Sequence, residues 1–220
     1  MKRKNAPKYT NEEQQRRAQL HSLKVYRLLK PDVQLVMDDE KYFSLTGDIN
    51  SNRSYYTTGP SATPYNVKFK SRTKFEPKIM VWMAISQKGM SRVYVHRSKS
   101  AVGTETYLNE CIRKRLVPFI NKFHSNDSIL FCPDLASAHY PQEVQTYLSD
   151  HGISYDQRRK NLPNVLQARP IEKIWSLLEQ TIYANNWQAQ NLDQLARRIS
   201  KKVKELDQEI VTDMILSVKS

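Results

Sequence analysis

The stretch Val33-Gln34-Leu35-Val36-Met37-Asp38-Asp39, which follows Pro31-Asp32, decides the fold. Read with a period of two, Val33, Leu35 and Met37 lie on one face of an extended strand, and Asp39 falls in line with them. The spacing predicts a first strand that presents the Asp39 carboxylate at its end, in line with its apolar face. Asp38 stands next to it, and the alternation favours Asp39. Downstream, Lys78 to Ser86 is a near-continuous apolar run of buried-strand type, and Arg92 to Arg97 alternates again, with Gln87 to Met90 as the turn of a hairpin. Thr104 to Phe123 has helical spacing, with Pro118 forced to kink or restart it. Ser128 to Pro133 is a short strand ending on a second acid, Asp134. Gln142 to Asp150 is an amphipathic helix closed by Gly152, and a strand at about Ile153 to Gln157 follows it. From Pro170 the chain reads as helix, with Ile171, Ile174, Trp175, Leu178 and Ile182 on one face; further helices run from about Leu192 to Leu206 and from Gln208. Antiparallel hairpin strands followed by helix-linked parallel strands predict a mixed α/β sheet flanked by helices, with helices at the C-terminus.

Composition narrows the chemistry. The chain has 220 residues, long enough for a real core, and 35 Lys and Arg against 22 Asp and Glu give a net charge of +13. Such an excess favours a polyanionic partner, nucleic acid first. Only five glycines are present, scattered at Gly47, Gly59, Gly89, Gly103 and Gly152. That excludes glycine-built phosphate cradles and a G-x-S-x-G nucleophile elbow. Cys111 and Cys132 stand too far apart for a C-x-x-C zinc half-site, and they suit a reducing compartment. The longest apolar run, Ile79 to Ile85, is less than half of the roughly 20 residues a bilayer crossing needs, so the chain is expected to be soluble and intracellular, without a membrane partner.

Three regions are predicted: a basic N-terminal arm and linker helix over 1–30, a catalytic region over 31–187, and C-terminal helices over 188–220 packed on it. The arm reads as a helix from about Asn11 to Leu29 capped by Thr10, or as a solvated linker, and Lys2-Arg3-Lys4 fits a nuclear address. The catalytic region contains an excursion over 46–76, between the first two strands, in which Lys68, Lys70, Arg72 and Lys74 fall on every second residue. An extended backbone there projects four bases from one side, as a phosphate track or as a solvated strand face. Arg158, Arg159 and Lys160 are further candidates for backbone contacts to DNA, or an exposed charge run. Arg197, Arg198, Lys201, Lys202 and Lys204 make one helix strongly basic, as a DNA face or a solvated side.

Two strands thus deliver an Asp each, and the first turn of a helix delivers Glu172. If the strands are neighbours the acids converge, since ligands gather at strand ends in sheets with helical crossovers. Three carboxylates brought together repel unless a cation neutralises them, and Mg²⁺ is the hard ion that takes carboxylate oxygens while keeping waters for a substrate phosphate. Taken singly, a strand-terminal Asp or a first-turn Glu is more often structural.

The residues around the acids carry a resemblance. Asp39-Glu40-Lys41-Tyr42-Phe43, Asp134-Leu135-Ala136-Ser137-Ala138-His139 and Arg169-Pro170-Ile171-Glu172-Lys173-Ile174-Trp175 resemble the catalytic domain of mariner-superfamily DDE transposases. The likeness runs from about Val33 to Trp187, with Leu135 standing where the family motif has Asn. It implies a ribonuclease-H-like fold, with Asp39, Asp134 and Glu172 as catalytic and metal-binding residues for Mg²⁺, with Mn²⁺ as a substitute. It implies DNA cleavage and strand transfer in cut-and-paste transposition, in a nucleus, on transposon ends and target DNA, by a homodimer in the synaptic complex. The 46–76 excursion would bridge two subunits. His139, at the matching family position, would contact phosphate or support the metal shell. The family's N-terminal helix-turn-helix region has no counterpart here, so an excised catalytic domain or a shortened copy is expected. A transposase-derived DNA-binding or scaffold protein without turnover, and a ribonuclease H, are the alternatives.

Overall fold

The computed structural model describes residues 32–47, 76–97, 101–156 and 170–216, with Glu12 and Arg16 in addition. The expected arm helix (those two residues apart), the excursion between residues 48 and 75 with its four alternating bases, and the basic stretch Arg158 to Lys160 lie outside the described residues.

The first strand, β1 (Val33–Ser44), is the spine of the sheet. It pairs antiparallel with β2 (Lys78–Ser86), from Val36 opposite Ser86 to Ser44 opposite Lys78. On its other edge it pairs parallel with β5 (Ser128–Cys132), from Val33 opposite Ser128 to Met37 opposite Cys132. Two short strands, β3 (Gly89–Met90) and β4 (Tyr94–His96), both pair antiparallel with β2. The sheet is therefore mixed, and its order is β3-β2-β1-β5, with β4 also on β2.

Strand parity builds two cores. Leu35, Met37 and Phe43 of β1 join Ile79, Val81, Met83 and Ile85 of β2 on one face. Val36 of β1 joins Met80, Trp82 and Ala84 on the other. Because β2 is apolar on both faces it reads as an unbroken run, the signature of a strand covered from both sides. The second face is covered by helix α1, which has a short α turn (Thr104–Thr106), a π segment (Tyr107–Leu116) and a second α segment (Val117–Phe123), and by helix α2 (Gln142–Asp150). The first face is covered by helices α3 (Pro170–Ile182), α4 (Leu192–Lys204) and α5 (Gln208–Leu216).

Local chemistry explains most boundaries. Gly152, at φ 66°, closes α2: its N–H donates to Ser149 O, and that of Ile153 donates to Leu148 O, while Leu148 and Ile153 share one core. Asn191 caps α4 by accepting from Gln194 N. Gly47, at φ 71°, turns the chain over the ring of Tyr183, which would meet a Cβ there at 2.7 Å; the Tyr183 hydroxyl donates to Ser44 O.

Three expectations need correction. The first strand does not end at Asp39 but continues to Ser44, because β2 keeps pairing with it after β5 has stopped. The turn of the hairpin is Gln87 and Lys88 alone. Gly89 and Met90 pair with β2, and the ladder then slips by one residue before β4, where the Ser91 hydroxyl accepts from Ala84 N in place of a strand carbonyl. Pro118, by contrast, meets the expectation of a restart, since the π segment ends at Leu116 and a new α segment opens at Val117. It falls in the first turn after the π segment, where the ladder returns from i→i−5 to i→i−4 and a missing N–H costs least. The strand expected at Ile153 to Gln157 is a single parallel bridge, Tyr155 to Phe131.

Candidate active site

The last paired residues of the parallel ladder are Met37 and Cys132. Continuing that register by two places sets Asp39 on β1 across from Asp134, which follows Pro133. Proline has no N–H to extend a ladder, so β5 stops there and Asp134 enters the loop beside a strand that runs on. Asp39 is therefore mid-strand on the antiparallel side and at the carboxyl end of the parallel pair, the place where ligands collect in such sheets.

Adjacent residues on a strand face opposite ways, and Asp38 and Asp39 divide accordingly. Asp39 is half-buried on the face of α3, where its Oδ2 accepts from Trp175 Nε1 at 3.1 Å. Trp175 is buried and stands edge-on to Phe43, with ring centroids 6.0 Å apart. Glu172 lies in the first turn of α3, three residues before Trp175, and is exposed. Trp175 thus fixes the helix start that carries Glu172 to the strand that carries Asp39. Asp134 is half-buried, and its Oδ1 accepts from Leu135 N at 2.6 Å.

Asp38 has no exposure at all and points into the core under α1. Its Oδ1 accepts from Asp134 N at 2.8 Å, while its Oδ2 accepts from Tyr107 O–H at 2.6 Å and Trp82 Nε1 at 2.9 Å. Burial raises its pKa, opposed by the His139 charge and by these donors. Burial, and then the Asp38 charge, also raise Tyr107 well above the phenolic range. His139 is buried too, with its ring stacked on Tyr107 at 3.8 Å. Its Nδ1 lies 3.1 Å from Asp134 O, and its Nε2 lies 3.3 Å from Glu40 Oε1. Burial by itself would lower the His139 pKa, but the Glu40 hydrogen bond and the Asp38 and Glu40 charges outweigh it and raise it.

The structure therefore brings Asp39 on β1 across from Asp134 in the loop after β5 and ties the helix of Glu172 to Asp39. Among the described residues, no three His, Cys, Asp or Glu side chains are gathered closely enough to hold a metal ion. His139, expected to contact phosphate or to support the metal shell, is buried and stacked on Tyr107, with Asp134 O and Glu40 Oε1 at its two nitrogens. In the basic helix α4, Arg198 is half-buried: it donates to Ile182 O at 2.6 Å, satisfying a carbonyl at the end of α3, and lies over Trp187 at 4.2 Å. Arg197, Lys201 and Lys204 are exposed. Sequence reasoning missed Asp38, Tyr107 and Trp82 as a group. The signal was present, since two consecutive Asp on a strand buried on both faces oblige one of them to find donors inside.

No protein-family model matches the sequence, and no curated protein matches it. Solved structures do match. The Mos1 transposase paired-end complex with left transposon end aligns at a TM-score of 0.78 and 16% identity, over 100% of this chain and 63% of that one. The Mos1 mariner paired-end complex with Mn gives the same values. The catalytic domain of Mos1 mariner transposase aligns at a TM-score of 0.67 and 14% identity, over 97% of this chain and 92% of that domain. The chain thus spans 63% of the length of the full Mos1 chains but nearly all of the isolated domain. The mixed sheet, with α1 and α2 on one face and α3 to α5 on the other, thus has the ribonuclease-H-like fold that the catalytic domain of Mos1 mariner transposase shows.

Proposed function

We propose that this chain is the catalytic part of a mariner-type DNA transposase, cleaving phosphodiester bonds and transferring strands with Mg²⁺ or Mn²⁺ in a nucleus. The observation that carries the reading is the placement of Asp39 and Asp134 across the end of a parallel strand pair, with the Glu172 helix tied to Asp39 through Trp175. The donor chemistry fits a hard divalent ion. Asp39, Asp134 and Glu172 would offer carboxylate oxygens, whereas the Asp38 oxygens are committed to Trp82 Nε1, Tyr107 O–H and Asp134 N–H. When bound, such ions activate a water or a 3′-hydroxyl and stabilise the leaving oxygen in an in-line displacement. The protein's share is positioning: Trp175 orients Asp39, Leu135 N–H orients Asp134, and the apolar face of α3 keeps Glu172 in register. The likeness to Mos1 complexes that hold transposon ends, and to Mos1 structures with Mn and with Mg, supports DNA and divalent ions as partners. The net charge of +13 supports the same partner. A homodimer holds the two ends, and Lys2-Arg3-Lys4 serves as the nuclear address.

The test is DNA cleavage by the purified chain with Mg²⁺, with Mn²⁺ and with EDTA, beside Asp134→Asn and Glu172→Gln. Nicking with either metal, and background rates in EDTA and in both variants, is the expected result. Cleavage that survives EDTA or both substitutions contradicts the reading, and DNA binding without cleavage under any metal favours a scaffold derived from a transposase. An RNA–DNA hybrid as competing substrate separates ribonuclease H, which prefers it, from the proposed enzyme, which prefers duplex DNA.

A further inference from the structure

Asp134 lies in the loop that follows β5. The ladder between β1 and β5 ends at Cys132, Pro133 adds no donor, and Leu135 and Ala136 lie outside any helix or strand. A metal-binding carboxylate needs its backbone fixed to within about 0.5 Å to keep a productive geometry. Two buried side chains supply that restraint. Asp38 Oδ1 accepts the Asp134 N–H at 2.8 Å, and His139 Nδ1 reaches the Asp134 carbonyl at 3.1 Å. Both are held by Tyr107, at the start of the π segment of α1: its hydroxyl donates to Asp38 at 2.6 Å and its ring stacks on His139. Trp82 Nε1 on β2 adds a second donor to the same Asp38 oxygen at 2.9 Å, and Glu40 Oε1 faces the far nitrogen of His139 at 3.3 Å.

We infer that Asp38 is a positioning residue for Asp134, acting with His139 and Tyr107 as a clamp on both backbone polar groups of that residue. Asp38 reaches no substrate. It links the loop of Asp134 to the helix layer on the opposite side of the sheet from Glu172. The inference rests on the reading of Asp134 as a metal-binding residue, and it adds that the affinity of the site is set from the buried side. The sequence places an acid on each face of β1 for this reason: Asp39 meets the ion and Asp38 holds the other strand's acid in reach.

The decisive variant is Asp38→Asn. An amide offers an acceptor to one side only. Turning its oxygen to Tyr107 and Trp82 leaves one donor unmatched, and the other orientation leaves two, so the NH₂ group comes to face the Asp134 N–H. Two quantities are read on the full chain without DNA: exchange of the Asp134 amide in metal-free protein, and Mn²⁺ affinity by calorimetry. The expected result is faster exchange at Asp134 and a Mn²⁺ affinity lowered at least tenfold, the range found when groups supporting a metal ligand are removed. Tyr107→Phe keeps the ring on His139 and deletes only the donor to Asp38, so it shifts both readings in the same direction by less. Val203→Ala, a core substitution in α4 far along the chain, controls for lost stability and leaves Mn²⁺ affinity unchanged. Asp38→Asn that binds Mn²⁺ as tightly as the unaltered chain overturns the inference while leaving the site intact, and so does an affinity loss that Val203→Ala reproduces. Unaltered protein whose Mn²⁺ binding is no different from that of Asp134→Asn overturns the reading of the site itself, and the inference with it.

Discussion

Residues Asp38 and Asp39 are chemically identical, yet one rotation along a strand gives them opposite environments. His124 shows the same dependence on surroundings. It is buried, with Nδ1 2.6 Å from Asp127 Oδ2 and Nε2 2.7 Å from Ser86 Oγ, while Lys88 Nζ lies 2.6 Å from the same Asp127 carboxylate oxygen. Ser86 is wholly buried and also accepts from Lys88 N, so this Ser-His-Asp order ties the β2 turn to the end of α1 and meets no substrate. Burial lowers the His124 pKa, with Lys88 acting in the same direction and Asp127 opposing. The folded state therefore binds this proton less readily than the unfolded chain does, whose imidazole titrates near about 6.5. His124 thus contributes a loss of stability as pH falls below that value. His139 is raised and has the opposite sign: its contribution is full below about 6.5 and is lost as pH rises through its folded pKa. Urea unfolding at several pH values, for the unaltered chain and His124→Asn, separates them. The variant should lose the acid-side slope, and an unchanged slope contradicts the assignment.

At the scale of elements, α3 matters most, because it carries Glu172 on its exposed side and buries Ile171, Ile174, Trp175, Leu178 and Ile182 against the sheet. Leu178→Ala removes a side chain with no exposure and should cost about 2–5 kcal/mol, read by chemical denaturation. A cost below about 1 kcal/mol would mean that the helix is not seated as described. This helix was legible because its apolar residues repeat with helical spacing and Pro170 opens it, and β2 was legible because it is apolar on both faces. The far end of β1 was not. Its pairing with β2 beyond Asp39 depends on a partner distant in the chain, and Tyr42 is exposed there, so the apolar run no longer marks the strand. The π segment was hidden for a similar reason, since Tyr107, Leu108, Cys111, Ile112 and Leu116 fit either ladder. The bridge at Tyr155 follows from a neighbour that local sequence does not name. In the candidate site, the place of Asp39 and Asp134 near the end of a parallel strand pair and of Glu172 in the first turn of α3 was readable from the sequence pattern, whereas the Asp38 hydrogen bonds were not, because Tyr107 and Trp82 reach it from separate elements.

In the whole molecule, the core on the α3 face is continuous with the C-terminal helices. Leu195, Ala196, Ile199 and Val203 of α4, with Val211 and Ile215 of α5, complete the core that α3 begins. A chain ended after Trp187 should therefore lose cooperative unfolding and expose apolar surface, as seen by dye binding, although all three acids are retained. Cooperative unfolding of that shortened chain would show that α4 and α5 form a separate unit. The same continuity joins the carriers of the acids in one frame: β1 for Asp39, the loop after β5 for Asp134 and α3 for Glu172. The central claim is that this frame brings three carboxylates around divalent ions. Anomalous diffraction from crystals of the chain grown with Mn²⁺ tests it most directly. The account predicts a peak bounded by the Asp39 and Asp134 carboxylates with Glu172 turned towards it. Density for Mn²⁺ only elsewhere, with these three side chains unligated, would contradict it.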